Sequence, residues 1–196
     1  GGPRTAGRIR AVGSPIRNGD TSHTGVIPFY KLFQSAVKSC SQGGVRGGAA
    51  TLYYPAWHLE FEDLIVLKNN KGTEDNRIRH LDYGVQFNKV MYERLLAGGV
   101  ITLFSPSDVD LFSAFMQERK DTGRIYLMNV DHVNDHGAFV KNRAPIKQSN
   151  LCAEISLPTK PLNSVDDPDG EISLCTLAAI NWGKIRDPAD FERPCT

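Results

Sequence analysis

The sequence has no long hydrophobic run and almost no excess of charge of either sign. No stretch approaches the roughly eighteen apolar residues of a membrane-spanning helix, and 23 basic residues balance 22 acidic ones to a net charge of +1. Bulk electrostatics therefore favours neither a nucleic-acid partner nor an anionic membrane surface. Because the amino end also lacks the apolar core of a signal peptide, we expect a cytoplasmic protein.

Cysteine is scarce, and its spacing excludes two common uses. The chain has no Cys-x-x-Cys pair, and its four cysteines are Cys40, Cys152, Cys175 and Cys195. Wide spacing argues against a secreted disulfide framework and against a zinc site. His132 and His136 lie four residues apart near two aspartates, but we expect a strand followed by a loop there, where this spacing does not align side chains. We therefore predict no metal site and expect thiols that are free, buried or catalytic.

The apolar pattern alternates between helices and strands. A length of 196 residues with 40% hydrophobic residues suits one domain or a large piece of a bigger one. The spacing predicts a helix from Pro28 to Lys38, and further helices at 57–67, 76–96 and from Ser107 or Asp108 to Glu118. Strands are predicted at 49–54, 100–104, 124–130, 154–157 and 171–180. Strands separated by helices predict an α/β architecture with considerable parallel pairing.

Two segments have the composition of anion-binding loops. Residues 1–20 are rich in glycine and arginine, and their guanidinium groups can bind phosphates with two hydrogen bonds each. Composition alone slightly favours the alternative, which is solvated surface arginine. Residues 39–48 contain four glycines in ten positions. Glycine lets main-chain N–H groups approach a ligand closely, so we predict a mobile ligand-sensing loop. It matches neither a Walker motif nor a dinucleotide-binding fingerprint.

The segment 148–154 carries the strongest chemical signal. In extended backbone, side chains two residues apart share a face, so Asn150, Cys152 and Glu154 would point the same way. A thiol flanked by an amide and a carboxylate suits redox chemistry on a substrate hydroxyl, which the amide can hold and the carboxylate can deprotonate. The alternative is an ordinary strand whose small polar residues face water.

Several long motifs together resemble the large, catalytic alpha subunit of class I ribonucleotide reductase. The matching segments cover almost the whole chain in order: 7–10, 13–16, 23–29, 36–50, 67–70, 148–154 and 174–177. The resemblance implies part of a ten-stranded α/β barrel with a central cysteine-bearing finger loop, so residues 1–196 would form a partial catalytic barrel domain. Residues 1–50 would supply effector-binding loops and a dimer helix, and residues 146–180 the finger loop and a redox-cysteine strand.

The resemblance also implies roles for individual residues. Cys152 would carry the thiyl radical that removes the 3′ hydrogen of the ribose, Glu154 would deprotonate the 3′ hydroxyl, and Asn150 would bind a substrate hydroxyl. Cys175 would be one of two cysteines that reduce the 2′ position and form a disulfide. Arg10 and Arg17 would meet effector phosphates, and the segment from Cys40 to Ala49 would be the specificity loop. Its candidate binding residues are Cys40, Ser41, Gln42, Gly43, Gly44 and Arg46.

The implied partners follow from this chemistry. The substrate would be a ribonucleoside diphosphate, and ATP or deoxynucleoside triphosphates would be allosteric effectors. No cofactor would be bound in this chain, because a metal-containing small subunit would supply the radical. Thioredoxin or glutaredoxin would reset the dithiol, and the large subunit would form a homodimer.

The chain departs from the family pattern in several places. No cysteine precedes Cys40, so the usual disulfide partner of Cys175 is missing. Between Asp110 and Leu111 the family usually carries several tens of additional helical residues, and the amino-terminal activity domain and the carboxy-terminal part are also absent. We therefore expect a fragment that is inactive by itself, or half of a split subunit that needs a complementing chain.

Two other classes of function remain open. One is a non-catalytic nucleotide effector-binding module formed by the segment 10–49. The other is a different radical reductase that uses a cysteine finger, either anaerobic or cobalamin-dependent. The Asn150 to Glu154 run and the long match at 39–50 favour the class that takes its radical from a small subunit. A purely structural protein would leave these residues unexplained.

Overall fold

A computed structural model describes residues 8–99, 111–160, 162–174 and 178–191. The helices are α1 (Ile27–Ser39), α2 (Phe61–Ile65), α3 (Lys89–Leu96), α4 (Leu111–Thr122) and α5 (Val130–His136). The strands are β1 (Pro15–Ile16), β2 (Thr21–Ser22), β3 (Ser41–Gln42), β4 (Arg46–Gly47), β5 (Thr51–Pro55), β6 (Asp82–Phe87) and β7 (Ile125–Asn129). Among these elements, no helix is both long and apolar enough to cross a membrane.

A parallel sheet in the order β5, β6, β7 forms the centre of the fold. Tyr53 pairs with Gly84, and Val85 pairs with Leu127. A Cβ at Gly84 would overlap the Tyr53 ring, so only glycine fits beneath that aromatic side chain. The predicted α/β class and the predicted parallel pairing are confirmed. A ten-stranded barrel is not seen in the described part of the chain and remains an expectation.

The core is built mainly from aromatic and branched side chains that the helices press onto this sheet. Tyr30 of α1, Tyr54 of β5 and Tyr83 of β6 are fully buried, with Tyr83 lying 6.2 Å from each of the other two ring centroids. Burial raises the pKa of all three hydroxyls well above the ordinary value of 10. These phenols therefore stay neutral and act as core side chains.

Most predicted elements around the sheet are confirmed. Helix α1 begins beside Pro28 as expected, and α2, α4, β5 and β7 lie within or beside their predicted ranges. The apolar residues of α1 do not all face the core, however, because Phe33 and Val37 pack on it while Leu32 is 61% exposed. The predicted strand at 100–104 and the predicted helix start at Ser107 or Asp108 lie outside the described residues.

The prediction of one helix over 76–96 is wrong. Strand β6 occupies the middle of that range, and α3 begins after Asn88, whose Oδ1 accepts the N–H of Met91 at 2.9 Å. The error has a physical cause. β6 is the central strand, and five consecutive residues from Tyr83 to Phe87 are buried, so the sequence shows no alternation that would reveal a strand.

Two further predictions are wrong. The segment after β7 is helix α5, not a loop, so His132 and His136 do share a helix face, with ring centroids 5.4 Å apart. The strands expected at 154–157 and 171–180 are absent from the described residues of those ranges, and Glu171 forms only a single antiparallel bridge, with Lys160. A β-strand needs several consecutive residues that hydrogen-bond to a neighbouring strand, and here only one residue pair does so.

Candidate active site and effector loops

Cys152 lies at the apex of a tight turn in the cysteine loop, residues 148–155. The N–H of Ala153 donates to the carbonyl of Asn150 at 3.3 Å, which closes the turn around Leu151 and Cys152. Ala153 has a positive φ of 63°, a conformation that reverses the chain direction. The Cys152 thiol is consequently exposed and is not bonded to another cysteine.

The expectation of extended backbone from Asn150 to Glu154 is therefore wrong. Asn150 Oδ1 accepts the N–H groups of Glu154 and Ile155, both at 3.1 Å, so its carboxamide shapes the loop from within. This is the local side-chain bonding that asparagine offers in turns. The loop still carries an amide, a thiol and a carboxylate within five residues, but they lie on a turn instead of on one face of a strand.

Strand β5 anchors the cysteine loop. Thr51 Oγ1 donates to the carbonyl of Leu151 at 2.6 Å, and Tyr53 Oη donates to the carbonyl of Asn150 at 2.9 Å. Both donors lie on the same side of β5, because they are two residues apart. The carbonyls of Asn150 and Leu151, in the first half of the turn, are thus fixed to the edge strand of the parallel sheet.

The residues that lead into the cysteine loop are anchored as well. The carboxamide of Asn134 on α5 pairs with the main chain of Ile146, accepting its N–H and donating to its carbonyl, each at 2.8 Å. Gln86 of β6 donates to the carbonyl of Lys147. The segment entering the cysteine loop is therefore bonded to α5 and to the central strand.

Burial and then the ionisable groups of the cysteine loop raise the pKa values of two nearby tyrosines. Burial raises the pKa of Tyr53 to about 12, and the nearby ionisable groups of Tyr126, Glu154 and Cys152 add to the increase. The pKa of Tyr126 on β7 is also raised, first by desolvation and then by charges that include Cys152 and Glu154. The thiol and the carboxylate therefore lie within electrostatic range of the same two rings.

A cleft of about 170 Å³ lies beside the cysteine loop. It is lined by Gln148, Ser149, Asn150, Ile155, Leu157, Thr159, Ser173 and Leu174. Of the predicted catalytic residues, Asn150 faces this cleft, while Cys152 and Glu154 are not among its lining residues. Cys175 follows the lining residue Leu174 but lies outside the described residues.

The predicted phosphate-binding arginines lie on the arginine hairpin, residues 8–26. Strands β1 and β2 pair antiparallel, and Arg17 sits at the tip with a φ of 50°. Arg10 lies at the base, where its Nη1 donates to the carbonyl of Pro15 at 3.2 Å. Both side chains are exposed and belong to one compact turn. The hairpin thus provides a small cationic surface.

The predicted ligand-sensing segment is the glycine hairpin, residues 40–48. Gln42 pairs with Arg46 across its two short strands, and the turn contains Gly43 and Gly44, both with positive φ. A Cβ at Gly48 would overlap the carbonyl of Val37, so this glycine permits the hairpin to close against the end of α1. Cys40 and Arg46 are exposed. The mobility of the segment remains a prediction.

Sequence reasoning missed the residues that hold these loops in place. Thr51, Tyr53 and Asn134 act on carbonyl and N–H groups that lie far away in the sequence, and no local pattern marks such contacts. The described residues contain no group of three or more His, Cys, Asp or Glu side chains that could hold a metal ion.

The chain matches the model of the ribonucleotide reductase barrel domain over residues 4–112 and 109–194. It is 59% identical to the ribonucleoside-diphosphate reductase subunit alpha of Buchnera aphidicola subsp. Acyrthosiphon pisum over 95% of this chain. It is also 60% identical to subunit alpha of reductase 1 of Escherichia coli K12 over 81% of this chain. These matches cover 29% and 25% of the two relatives, so the chain spans less than a third of their length.

A solved structure, the class Id ribonucleotide reductase alpha subunit of Actinobacillus ureae, has a similar fold. It superposes with a TM-score of 0.60 and 28% identity, covering 78% of this chain and 26% of that one.

The comparisons also bear on the predicted shortening. The alignment to the Buchnera relative spans 222 positions, more than the 196 residues of this chain, so the relative has residues that are missing here. The family model matches in two pieces whose ends meet at residues 109–112, which is where the sequence predicts the gap. The agreement extends over nearly the whole chain, and the chain therefore belongs to the ribonucleotide reductase barrel-domain family.

Proposed function

We propose that this chain supplies the radical-bearing cysteine loop and the effector loops of a ribonucleoside-diphosphate reductase alpha subunit. The observation that carries the proposal is the exposed Cys152 at the apex of a turn that two side chains of β5 hold in place. A hydrogen-abstracting sulfur must be accessible and fixed in position, because small displacements from the reacting carbon cost large factors in rate. The matched family supplies the reaction class.

The proposed reaction assigns one step to each group. A thiyl radical on Cys152 takes the 3′ hydrogen, forming an S–H bond as the C3′–H bond breaks. Glu154 accepts the proton of the 3′ hydroxyl, and the 2′ hydroxyl leaves as water. Cys175 and a second thiol outside this chain provide the two electrons and two hydrogens: one proton completes the departing water, and the other hydrogen forms the new C2′–H bond. The two sulfurs become a disulfide, which thioredoxin or glutaredoxin reduces. The hydrogen then returns from Cys152 to C3′, and Glu154 returns its proton to the 3′ oxygen.

The geometry refines the proposed role of Asn150. Its Oδ1 already accepts two N–H groups of the loop, so a substrate hydroxyl would meet the Nδ2 group instead. The carboxamide would then both shape the turn and donate to the sugar.

The effector half of the proposal rests on the two hairpins. Arg10 and Arg17 would bind the phosphates of ATP or a deoxynucleoside triphosphate, and the glycine hairpin would relay the identity of the base. The exposed side of α1, with Leu32 61% and Phe29 37% exposed, would contact a second alpha subunit. A metal-containing small subunit would supply the radical, and the remaining barrel strands would come from the rest of a longer subunit or from a complementing chain.

A chimera tests the catalytic proposal. The corresponding segment of the Escherichia coli alpha subunit is replaced by this chain, and reduction of CDP is measured with the small subunit present. We expect turnover that disappears in the Cys152→Ser variant while dTTP binding by calorimetry is unchanged. A chimera that binds dTTP but reduces no CDP contradicts the catalytic role and favours the effector-binding module.

A further inference from the structure

One buried carboxylate holds both ends of the arginine hairpin. Glu60 precedes α2 and is only 5% exposed. Its Oε2 accepts the N–H of Val12 and the N–H of Val26, each at 3.0 Å, and its Oε1 lies 3.4 Å from the same Val26 nitrogen. Val12 comes before β1 and Val26 comes after β2, so the two ends of the hairpin converge on a single side chain.

His58 adds a third attachment beside Glu60. Its Nδ1 accepts the N–H of Glu60 at 3.1 Å, which places the ring proton on Nε2. Nε2 then donates to the carbonyl of Ile9 at 3.0 Å. The segment from His58 to Glu60 is therefore bonded to the hairpin at three main-chain groups that are separated by up to seventeen residues.

Gly25 leaves the space that the carboxylate occupies. It has a φ of 92°, and a Cβ built there would lie 2.6 Å from Glu60 Oε1. Any other residue at this position would have to displace the carboxylate or the hairpin. The position of the Glu60 carboxylate therefore requires glycine at residue 25.

The charge of Glu60 gives these bonds their strength. A buried carboxylate is costly unless it is hydrogen-bonded, and N–H bonds to an ionised acceptor are roughly twice as strong as neutral ones. Val26 is also the N-cap of α1, where the helix dipole favours negative charge. The hairpin backbone itself therefore solvates Glu60.

We propose that Glu60 is the positioning residue of the effector site: it fixes the arginine hairpin so that Arg10 and Arg17 present their guanidinium groups to one polyphosphate. The inference rests on the proposed effector function of this hairpin. Glu60 acts through main-chain N–H groups and does not itself contact the nucleotide. Without it, the hairpin would be held only by its own short strands and by the bond from His58 to Ile9, and the two arginines would be positioned less firmly.

The test uses the 196-residue chain and its Glu60→Gln variant, which keeps the shape but removes the charge. Hydrogen exchange followed by mass spectrometry should show faster exchange in residues 9–26 and unchanged exchange in β5, β6 and β7. Calorimetry should show dTTP binding weakened roughly tenfold, because binding would then have to order the loosened hairpin. Glu93→Gln on the exposed face of α3 is the matched control and should change neither measurement.

A double-mutant cycle separates positioning from general destabilisation. If Glu60 acts by orienting the arginines, Glu60→Gln should weaken dTTP binding much less in an Arg17→Ala background. Equal losses in both backgrounds, unchanged exchange at 9–26, or faster exchange throughout the sheet would each overturn the proposal. Gly25→Ala should reproduce the exchange result. An unsubstituted chain that fails to bind dTTP refutes the proposed effector function, while the exchange data still decide whether Glu60 holds the hairpin.

Discussion

Thr51 Oγ1 donates a hydrogen bond of 2.6 Å to the carbonyl of Leu151, one hundred residues further along the chain. This bond joins the start of β5 to the turn that presents Cys152. The same strand follows the glycine hairpin with only two residues between them. The start of β5 is thus close in sequence to the proposed specificity loop and in contact with the proposed reaction centre.

Replacing Thr51 with valine should loosen the cysteine loop. Valine has nearly the same shape but leaves the Leu151 carbonyl without its donor, so we expect a loss of about 1 kcal/mol in the free energy of unfolding. Denaturant titration measures this loss, and hydrogen exchange at 150–155 locates it. Thr21→Val, on the exposed strand β2, is the control. Equal stability of the two variants would show that the tether contributes nothing.

Asn150 should be sensitive to the loss of its oxygen. Asn150→Ala removes both bonds to the N–H groups of Glu154 and Ile155, for an expected cost of about 1 to 3 kcal/mol. Asn150→Asp keeps the acceptor and should retain most of the stability. Thermal unfolding and exchange at 154–155 compare the two variants. If alanine is tolerated as well as aspartate, the carboxamide does not shape the turn.

Gly84→Ala should be among the most harmful small substitutions in the sheet. The new methyl group would overlap the ring of Tyr53 within a central strand, and such overpacking typically costs about 1 to 3 kcal/mol. Gly47→Ala in β4 is the matched control, because nothing lies within 4 Å of a Cβ placed there. The urea concentration at the midpoint of unfolding should be clearly lower for Gly84→Ala than for Gly47→Ala. Similar midpoints would contradict the close packing of Tyr53 on Gly84.

The stability of the fold should decline at high pH partly through Tyr53. Its pKa rises from 10 when unfolded to about 12 when folded, mainly through burial. Above pH 10 the unfolded state releases this proton first, so the contribution is complete below pH 10 and is lost as the pH rises to about 12.

Tyr53→Phe provides the comparison. This variant loses the hydrogen bond to Asn150 at neutral pH, and its stability should fall less steeply than that of the parent chain between pH 10 and 12. Phenolate absorbance followed alongside unfolding gives the titration directly. If the free energy of unfolding fell equally steeply for both proteins across that interval, ionisation of Tyr53 would not contribute to the loss.

Local sequence signals were sufficient for elements with a clear period and a recognisable start. Helix α1 has Pro28 in its first turn and apolar residues at helical spacing, and β5 and β7 are short apolar runs bounded by polar residues. The α/β class followed from their alternation. The strand β6 could not be predicted in the same way, because burial on both faces removes the alternation that identifies a strand.

The candidate site was predicted by residue type but not by conformation. The segment at Cys152 was singled out by its residue types, whereas its turn depends on the positive φ of Ala153 and on the internal bonds of Asn150. The anchoring groups Thr51 and Glu60 contact main-chain atoms 100 and 34 to 48 residues away. Such contacts arise only once the sheet has brought these segments together, so no window of sequence contains them.

The two tethers on β5 constrain how this chain can change its length. Thr51 and Tyr53 reach the cysteine loop because a strand repeats every two residues, and inserting a single residue between them would turn one of them to the opposite face. Natural selection should therefore remove insertions and deletions from this strand. The exposed turn at 163–170 has no such alternation to preserve and could absorb them.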